Sequence, residues 1–382
     1  MDSLPRVCPV RSQSTSCLAK IPADGNIRPG QWGHLRWGHA HYHQGDTSAA
    51  QSHFAKALAL ARGSGLHDLE AQALSWLAES ALDPAQEQKS YWETALAIAQ
   101  ETGDRWNECD VLTGLSSSRL GAGDLARART GLGQCVLHFR QIGDRRTEGY
   151  SLLYLARYCE AVGDYARSRS YSDQVLSVAD EFEDPYLMAL GLSCRADATL
   201  ALGEATAAQQ DAERSLEVAC KAGNVERQGR AHMGLGSVYR WLGDPAATHD
   251  HYAQALQLLR QLGGPGRSMA ALAGLAWAEL ALGRLREAQG HAAEILAHLD
   301  GGYRPDVTGR PFSIYLTCYQ VLSAAGDPRA AEILTWTHSL LQEWADNAPD
   351  EETRRSFLED VAENRALVRE WQLARQGEAG EG

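Results

Sequence analysis

Three histidines at alternate positions, His39, His41 and His43, are the feature of this chain that most resembles a metal-binding motif. His39 and His43 are four residues apart, so on a helix they share a face that a zinc or nickel ion can bridge. Two ligands are too few for such a site, and no nearby carboxylate is evident to orient them. We therefore interpret the triplet as polar groove residues plus one core histidine, and we predict no metal and no cofactor.

Other polar clusters lack the partners that catalysis needs. Ser116-Ser117-Ser118 has neither an adjacent histidine nor the strand-to-helix turn that exposes a nucleophilic serine. Paired carboxylates such as Glu351-Glu352 fall at predicted helix ends, where they complement the helix dipole. We predict no catalytic residues and no enzymatic activity. An enzyme site assembled from distant helices stays open as a second alternative.

Composition and charge narrow the class of protein. The chain has 382 residues and a net charge of −13, and an acidic surface disfavours direct binding to nucleic acid. No apolar run approaches the ~20 residues of a membrane helix, and residues 1–20 lack the apolar core of a signal peptide. The eight cysteines form no Cys-x-x-Cys pair, which is typical of reduced, partly buried thiols. We predict a cytoplasmic protein that does not enter a membrane.

The elements that position these residues follow from a fixed period of turns. A glycine followed by a polar residue recurs every 40 residues, and a second series of turns lies halfway between. Glycine ends a helix cheaply in the left-handed conformation, and an acidic residue after it can cap the next helix. The pattern predicts alternating helices of about 17 residues. The first series is Gly123-Asp124, Gly163-Asp164, Gly203-Glu204, Gly243-Asp244 and Gly283-Arg284.

The segment HMGLGSVYRWLGDPAATHDHYAQAL, residues 232–256, resembles a tetratricopeptide repeat through Leu235-Gly236, Tyr239, Gly243, Tyr252 and Ala255. Residues 35–58 match in a similar way, and the resemblance covers roughly residues 31–345. It implies an all-α fold, a right-handed α-solenoid of about eight helical hairpins. Other repeats depart from the motif, since Arg195 takes the usual leucine place and Glu279 the usual tyrosine place.

The ends of a solenoid need caps, because each hairpin buries its apolar face against its neighbours. We predict a disordered leader over residues 1–29, the repeat array over 30–346, one C-terminal capping helix over 347–373 and a disordered tail over 374–382. The ending RRSFLEDVAENRALVREW, residues 354–371, is similar to the C-terminus of bacterial ATPase-type transcriptional regulators, whose repeats form a sensor arm. The chain has no phosphate-binding loop motif, and whether an ATPase or DNA-binding domain precedes it is not evident.

In tetratricopeptide folds the first helix of each hairpin lines the concave face, so the resemblance implies which side chains form a groove. Arginine there can grip carboxylates, and aromatic rings offer rigid apolar area. Packing between hairpins stays an alternative for the tryptophans. The implied partner-binding residues are Trp32, His39, His43, Tyr150, Arg157, Asp197, Arg230, Arg240, Trp241, Trp277 and Tyr319.

The leading functional hypothesis is a non-enzymatic scaffold, a regulatory or signal-sensing adaptor that binds a protein or peptide in this groove. The alternative is a receptor for a small molecule or peptide signal, whose ligand changes the curvature of the superhelix. A homodimer formed by end-to-end stacking is also open, because terminal repeats expose apolar faces when they are poorly capped.

Overall fold

The computed structural model describes residues 31–81, 85–263, 265–302 and 310–380, and the predicted leader over 1–29 lies outside these ranges. The described residues form eighteen helices and no strand, so the predicted all-α solenoid of eight hairpins is confirmed. The first helices of the hairpins are α1 (Gln31–Gln44), α3 (His67–Ser80), α5 (Arg105–Gly121), α7 (Arg145–Ala161), α9 (Pro185–Ala201), α11 (Val225–Trp241), α13 (Pro265–Ala281) and α15 (Pro311–Ala324). The second helices are α2 (Thr47–Ser64), α4 (Ala85–Thr102), α6 (Leu125–Ile142), α8 (Tyr165–Glu181), α10 (Ala205–Lys221), α12 (Pro245–Arg260), α14 (Leu285–Asp300) and α16 (Arg329–Asp346).

The turns end and restart the helices as the period predicts. Gly143 has a φ of 76°, and its N–H donates to the Arg140 carbonyl at the end of α6. Asp144 then caps α7, its Oδ1 accepting from the Thr147 N–H at 3.1 Å. Each turn thereby satisfies backbone groups that the helix ends leave without partners. None of the helices in the described ranges is both long and apolar enough to cross a membrane.

Polar side chains fill two positions where the repeat departs from the motif. Arg195 donates to both carboxylate oxygens of Asp211, at 2.7 and 2.8 Å, and to Asp173 at 2.9 Å. Glu279 is buried, with the ring nitrogens of His249 and His291 at 3.8 and 3.5 Å. Arg195 can occupy a place that is usually apolar because its two carboxylate partners compensate its charge.

The C-terminal cap differs from the prediction. Two helices, α17 (Glu351–Glu359) and α18 (Ala362–Gly380), stand where one was predicted, and α18 runs into the predicted disordered tail. Helix α17 ends where side chains of α18 replace backbone N–H groups as the donors to its last carbonyls. Asn364 donates to the Phe357 carbonyl at 2.8 Å, and Arg365 donates to that of Glu359 at 2.9 Å. The sequence pattern did not predict this break between α17 and α18.

The solenoid closes on itself after five hairpins. Two residues of hairpin 1 contact later hairpins. The Thr47 hydroxyl accepts a hydrogen bond from Arg267 of α13 at 3.0 Å, and a Cβ on Gly45 would lie 3.4 Å from Leu262. In hairpin 3, the Ala126 N–H donates to the Asn347 carbonyl at 3.1 Å, directly after α16 of hairpin 8. The turns that join helices within early hairpins therefore pack against the turns that flank later ones, and the first helices face a shared interior.

Candidate functional site

The first helices of all eight hairpins line one cavity of about 1680 Å³. The cap also contributes to its wall, through Phe357 of α17 and residues at the start of α18. The cavity is continuous from hairpin 1 to the cap, because the closed superhelix brings the inner faces together. This is larger than the ~300–1,000 Å³ typical of pockets for small molecules.

Most of the residues that the resemblance placed in the groove lie at the wall of this cavity, and their part in binding a partner remains a prediction. Trp32 instead packs against the hydrophobic cluster of hairpins 1 to 3. The hydroxyl of Tyr319 donates to Glu370 at 3.2 Å, away from the cavity wall. The side chain of His43 is not among those described. The cavity-lining members are His39, Tyr150, Arg157, Asp197, Arg230, Arg240, Trp241 and Trp277.

Two cavity arginines face aromatic rings rather than carboxylates. The guanidinium carbon of Arg240 lies 4.5 Å from the centre of the Trp277 ring, and that of Arg157 lies 5.7 Å from the Tyr154 ring. Among the described residues, no carboxylate oxygen lies within 4.0 Å of either guanidinium. Burial lowers the pKa of Arg240. These two cations can therefore accept an incoming carboxylate without first breaking an ion pair.

A third arginine joins distant parts of the chain. Arg310, directly before α15, donates to Glu160 of α7 at 2.8 Å and lies 3.9 Å from Asp197 and 3.6 Å from Glu363 of α18. Burial and the neighbouring Glu160 charge raise the pKa of Asp197 to about 7, although Arg310 opposes the shift. One cation thus holds three carboxylates from three helices. Arg310 lies outside the 40-residue period, so the repeat pattern gave no signal for it.

Another part of the cavity wall is rich in phenols and carboxylates. Glu79 accepts from the hydroxyls of Tyr154 and Tyr42, at 3.0 and 3.4 Å. Burial, followed by the charge of Glu79, raises the pKa of Tyr154 well above its usual range. Burial and Glu79 likewise raise the pKa of Asp110 to about 7. The sequence analysis did not single out Glu79, Asp110 or Tyr154, because no inward position on α3 or α5 was taken from the resemblance and Tyr154 was not among those on α7.

Among the side chains that the structure describes, which do not include that of His43, no three His, Cys, Asp or Glu are arranged to hold a metal ion. The ring of His39 lies 4.2 Å from that of Trp76, and His41 stacks on His53 with ring centres 5.4 Å apart.

A family model and several solved structures support the fold. A family model described as tetratricopeptide repeat matches residues 227–300. A Rap protein solved in complex with Competence and Sporulation Factor has a similar structure, with a TM-score of 0.60 at 12% identity over 90% of this chain and 98% of that one. The apo form of the quorum sensor NprR from B. thuringiensis gives a TM-score of 0.52 at 14% identity, over 81% of this chain and 87% of that one.

A third similar structure is a signal transduction ATPase with a tetratricopeptide repeat sensor, from Pyrococcus horikoshii. Its TM-score is 0.50 at 10% identity, and the match covers 85% of this chain but only 54% of that one. Comparison with curated proteins gives no match. At these identities the structural likeness establishes the fold alone. Together with the repeat period and the family model, it makes this chain a tetratricopeptide-like repeat protein.

Proposed function

We propose that this protein is a regulatory or signal-sensing adaptor that binds a peptide, or an extended segment of a protein, in its central cavity without transforming it. The observation that carries the proposal is the pair of half-buried arginines, Arg157 and Arg240, which face aromatic rings and have no carboxylate partner among the described residues. Partial removal of these cations from water has a cost that a bound anion would offset.

The chemistry of the wall favours a peptide that carries a carboxylate. Arginine binds a carboxylate through two parallel hydrogen bonds, and a ring behind it fixes its plane. Tyr150, Trp241 and Trp277 add rigid aromatic area, which is frequent at the strongest contacts of protein interfaces. The volume of about 1680 Å³ accommodates several residues of an extended chain.

The similar structures support a sensing role of this kind. One is a Rap protein in complex with Competence and Sporulation Factor, another is a quorum sensor, and a third carries its repeats as the sensor of a signal transduction ATPase. We extend that role to this chain, and with it a place in cytoplasmic signalling or transcription regulation. The net charge of −13 argues for a partner other than nucleic acid.

The test is affinity capture from native lysate, with mass spectrometry of the retained proteins and peptides. We expect wild type to retain a partner that the double variant Arg157→Ala, Arg240→Ala loses. Titration of a synthetic peptide from that partner should then give at least a ten-fold weaker Kd for the variant. The matched control is Arg127→Ala, Arg214→Ala, which removes two exposed arginines outside the cavity. Equal retention by all three proteins, each folded by circular dichroism, would contradict the proposal.

A receptor whose ligand changes the curvature of the superhelix is a second candidate, favoured by the position of Arg310. This residue ties hairpin 4 to α18 across the cavity, and a ligand carboxylate can compete for it. Solution scattering with and without the captured peptide measures the change. A shift in the radius of gyration favours the receptor, whereas an unchanged radius with intact binding favours the adaptor.

A further inference from the structure

The two cavity arginines that face aromatic rings differ from other arginines of the wall in what they contact. Arg146 donates to Asp184 at 2.8 Å, and Arg267 donates to a hydroxyl of hairpin 1 at 3.0 Å. Among the described residues, Arg157 and Arg240 donate to no oxygen atom. The wall therefore presents two half-buried guanidiniums whose hydrogen-bond donors can bind a ligand.

The two arginines are too far apart to hold the same carboxylate. Arg157 lies on α7 and Arg240 on α11, and α9 packs against both of these helices. Burial lowers the pKa of Arg240, and the charges that also act on it are those of Tyr252, Glu363 and Arg310, not that of Arg157. Charges closer than about 8–10 Å act on each other, most strongly where they are partly buried. The two guanidiniums are therefore farther apart than this.

A cluster with excess negative charge lies between the two arginines. Asp197, on the intervening helix α9, forms it together with Glu160, Glu363 and Arg310. Three carboxylates share one guanidinium there, and Arg310 already gives two hydrogen bonds to Glu160, at 2.8 and 3.0 Å. A ligand carboxylate is therefore more favourable beside either of the two arginines than in this stretch, where it meets three like charges.

We propose that the ligand of this cavity carries two carboxylates, one bound by Arg157 and the other by Arg240, with no acidic group between them. This inference rests on the proposed function and adds the number and the spacing of the acidic groups. Helices that pack side by side are about 8–10 Å apart, so the two steps from α7 to α11 limit the spacing to ~20 Å. An extended peptide rises about 3.3 Å per residue, so its two acidic residues are separated by about three to six positions.

Selection from a display library of random peptides, each about twelve residues long, tests the spacing on the full chain. Peptides that bind immobilised wild type are recovered, and those that also bind the double variant Arg157→Ala, Arg240→Ala are discarded. We expect the remaining sequences to share two acidic positions about three to six residues apart, with no aspartate or glutamate between them. A synthetic peptide with both acidic residues should bind wild type about ten-fold more tightly than the same peptide with either one changed to its amide.

Charge reversal then assigns each acidic position to one arginine. The variant Arg240→Glu should prefer peptides that have lysine at one of the two positions, and Arg157→Glu should prefer lysine at the other. The control Arg214→Glu reverses an exposed arginine on α10, and it should select the same peptides as wild type. Where a reversed variant loses the wild-type helical signal, the single alanine variant replaces it, and this variant should no longer distinguish the acid from the amide at its position.

The outcomes separate the failure of this inference from the failure of the proposed function. Selected peptides that share only one acidic position, or that have acidic residues throughout the interval, overturn the inference and leave a cavity that binds peptides. The same holds if both arginine variants change the preference at one and the same position. A library that yields no peptide specific to wild type overturns the proposed function, and the inference with it.

Discussion

At the scale of single residues, the cavity holds ionisable groups away from their usual state. Asp110 has no hydrogen-bond or ion-pair partner among the described residues, and Glu79 adds negative charge nearby. Burial therefore favours its neutral form. Asp197 has the same raised pKa of about 7, but Arg310 lies beside it. The two carboxyls share a raised pKa but differ in their surroundings, because Arg310 lies beside Asp197 and no ion-pair partner of Asp110 is present among the described residues.

We predict that Asp110 makes the stability of the protein fall as pH rises from about 4 to about 7. Its pKa is about 7 in the folded chain and near 3.8 when unfolded, so the folded state binds the extra proton in this window. The stabilisation is complete below the lower value and lost above the higher one, and each unit of pKa difference is worth about 1.4 kcal/mol. Asp110→Asn should therefore be more stable than wild type at pH 8.

Urea unfolding at pH 4.5 and pH 8 measures this effect. The gap between variant and wild type should be small at the lower pH and about 1–3 kcal/mol at the higher one. Asp68→Asn, an exposed carboxylate on α3, is the control and should follow wild type at both. A variant that is destabilised equally at both pH values would contradict the assignment.

At the scale of elements, the turns perform two tasks that the repeat motif does not distinguish. Every turn glycine with positive φ ends a helix, but Gly45 and Gly123 also lie in the contact between successive turns of the superhelix. Gly203 has a similar φ of 87° and no neighbour. The chain thus offers a matched pair of glycines with the same backbone role and different surroundings.

We predict that Gly123→Ala destabilises the fold more than Gly203→Ala. Both replacements place alanine in the left-handed region, at a cost of about 1–2 kcal/mol. Only the alanine at position 123 also meets the Trp344 ring, which adds about 1–3 kcal/mol of overpacking. Chemical denaturation of the two variants gives the comparison. Equal losses would mean that Trp344 moves aside without cost and that the contact between turns is loose.

At the scale of the whole molecule, closure depends on groups far apart in sequence. Arg310 donates to Glu160 across 150 residues, and Arg129 donates to Asp350 across 221. Removing one partner of a buried ion pair costs more than the pair contributes, because the remaining charge stays buried alone. We expect this penalty to be larger for the Arg310 cluster than for the pair of Arg129 with Asp350, because three carboxylates share the one guanidinium.

We predict that Arg310→Met costs about 1–3 kcal/mol of unfolding free energy at pH 8, because the Arg310 side chain is 37% exposed and solvent screens part of its attraction, and clearly less at pH 5. The loss shrinks in acid because Asp197, with a pKa of about 7, takes up a proton and relieves the repulsion. Arg127→Met is the control: its pair with Asp124 is exposed, so about 0.5 kcal/mol or less should be lost. A pH-independent loss for Arg310→Met would assign its role to packing alone.

The sequence was sufficient to predict the helices and turns that recur in each repeat, but not the contacts that join distant hairpins. The 40-residue period predicted the helices and turns, because each turn needs a glycine and a cap at a fixed place. The family's inward positions led to Arg157 and Arg240. Contacts such as Arg267 with Thr47 join residues 220 apart, and they leave no trace in a local pattern. Tyr154 also lines the cavity, but it is not among the inward positions that the resemblance implied.

Closure also changes how the chain must fold. An ordinary open array has only contacts between neighbours, so it can grow outward from any repeat. Here hairpin 1 completes its contacts only with Arg267, which is synthesised 220 residues after Thr47. Such distant pairings raise the contact order and slow folding. The protein therefore combines the local composition of a fast-folding helical repeat with the late, cooperative final step of a single closed domain.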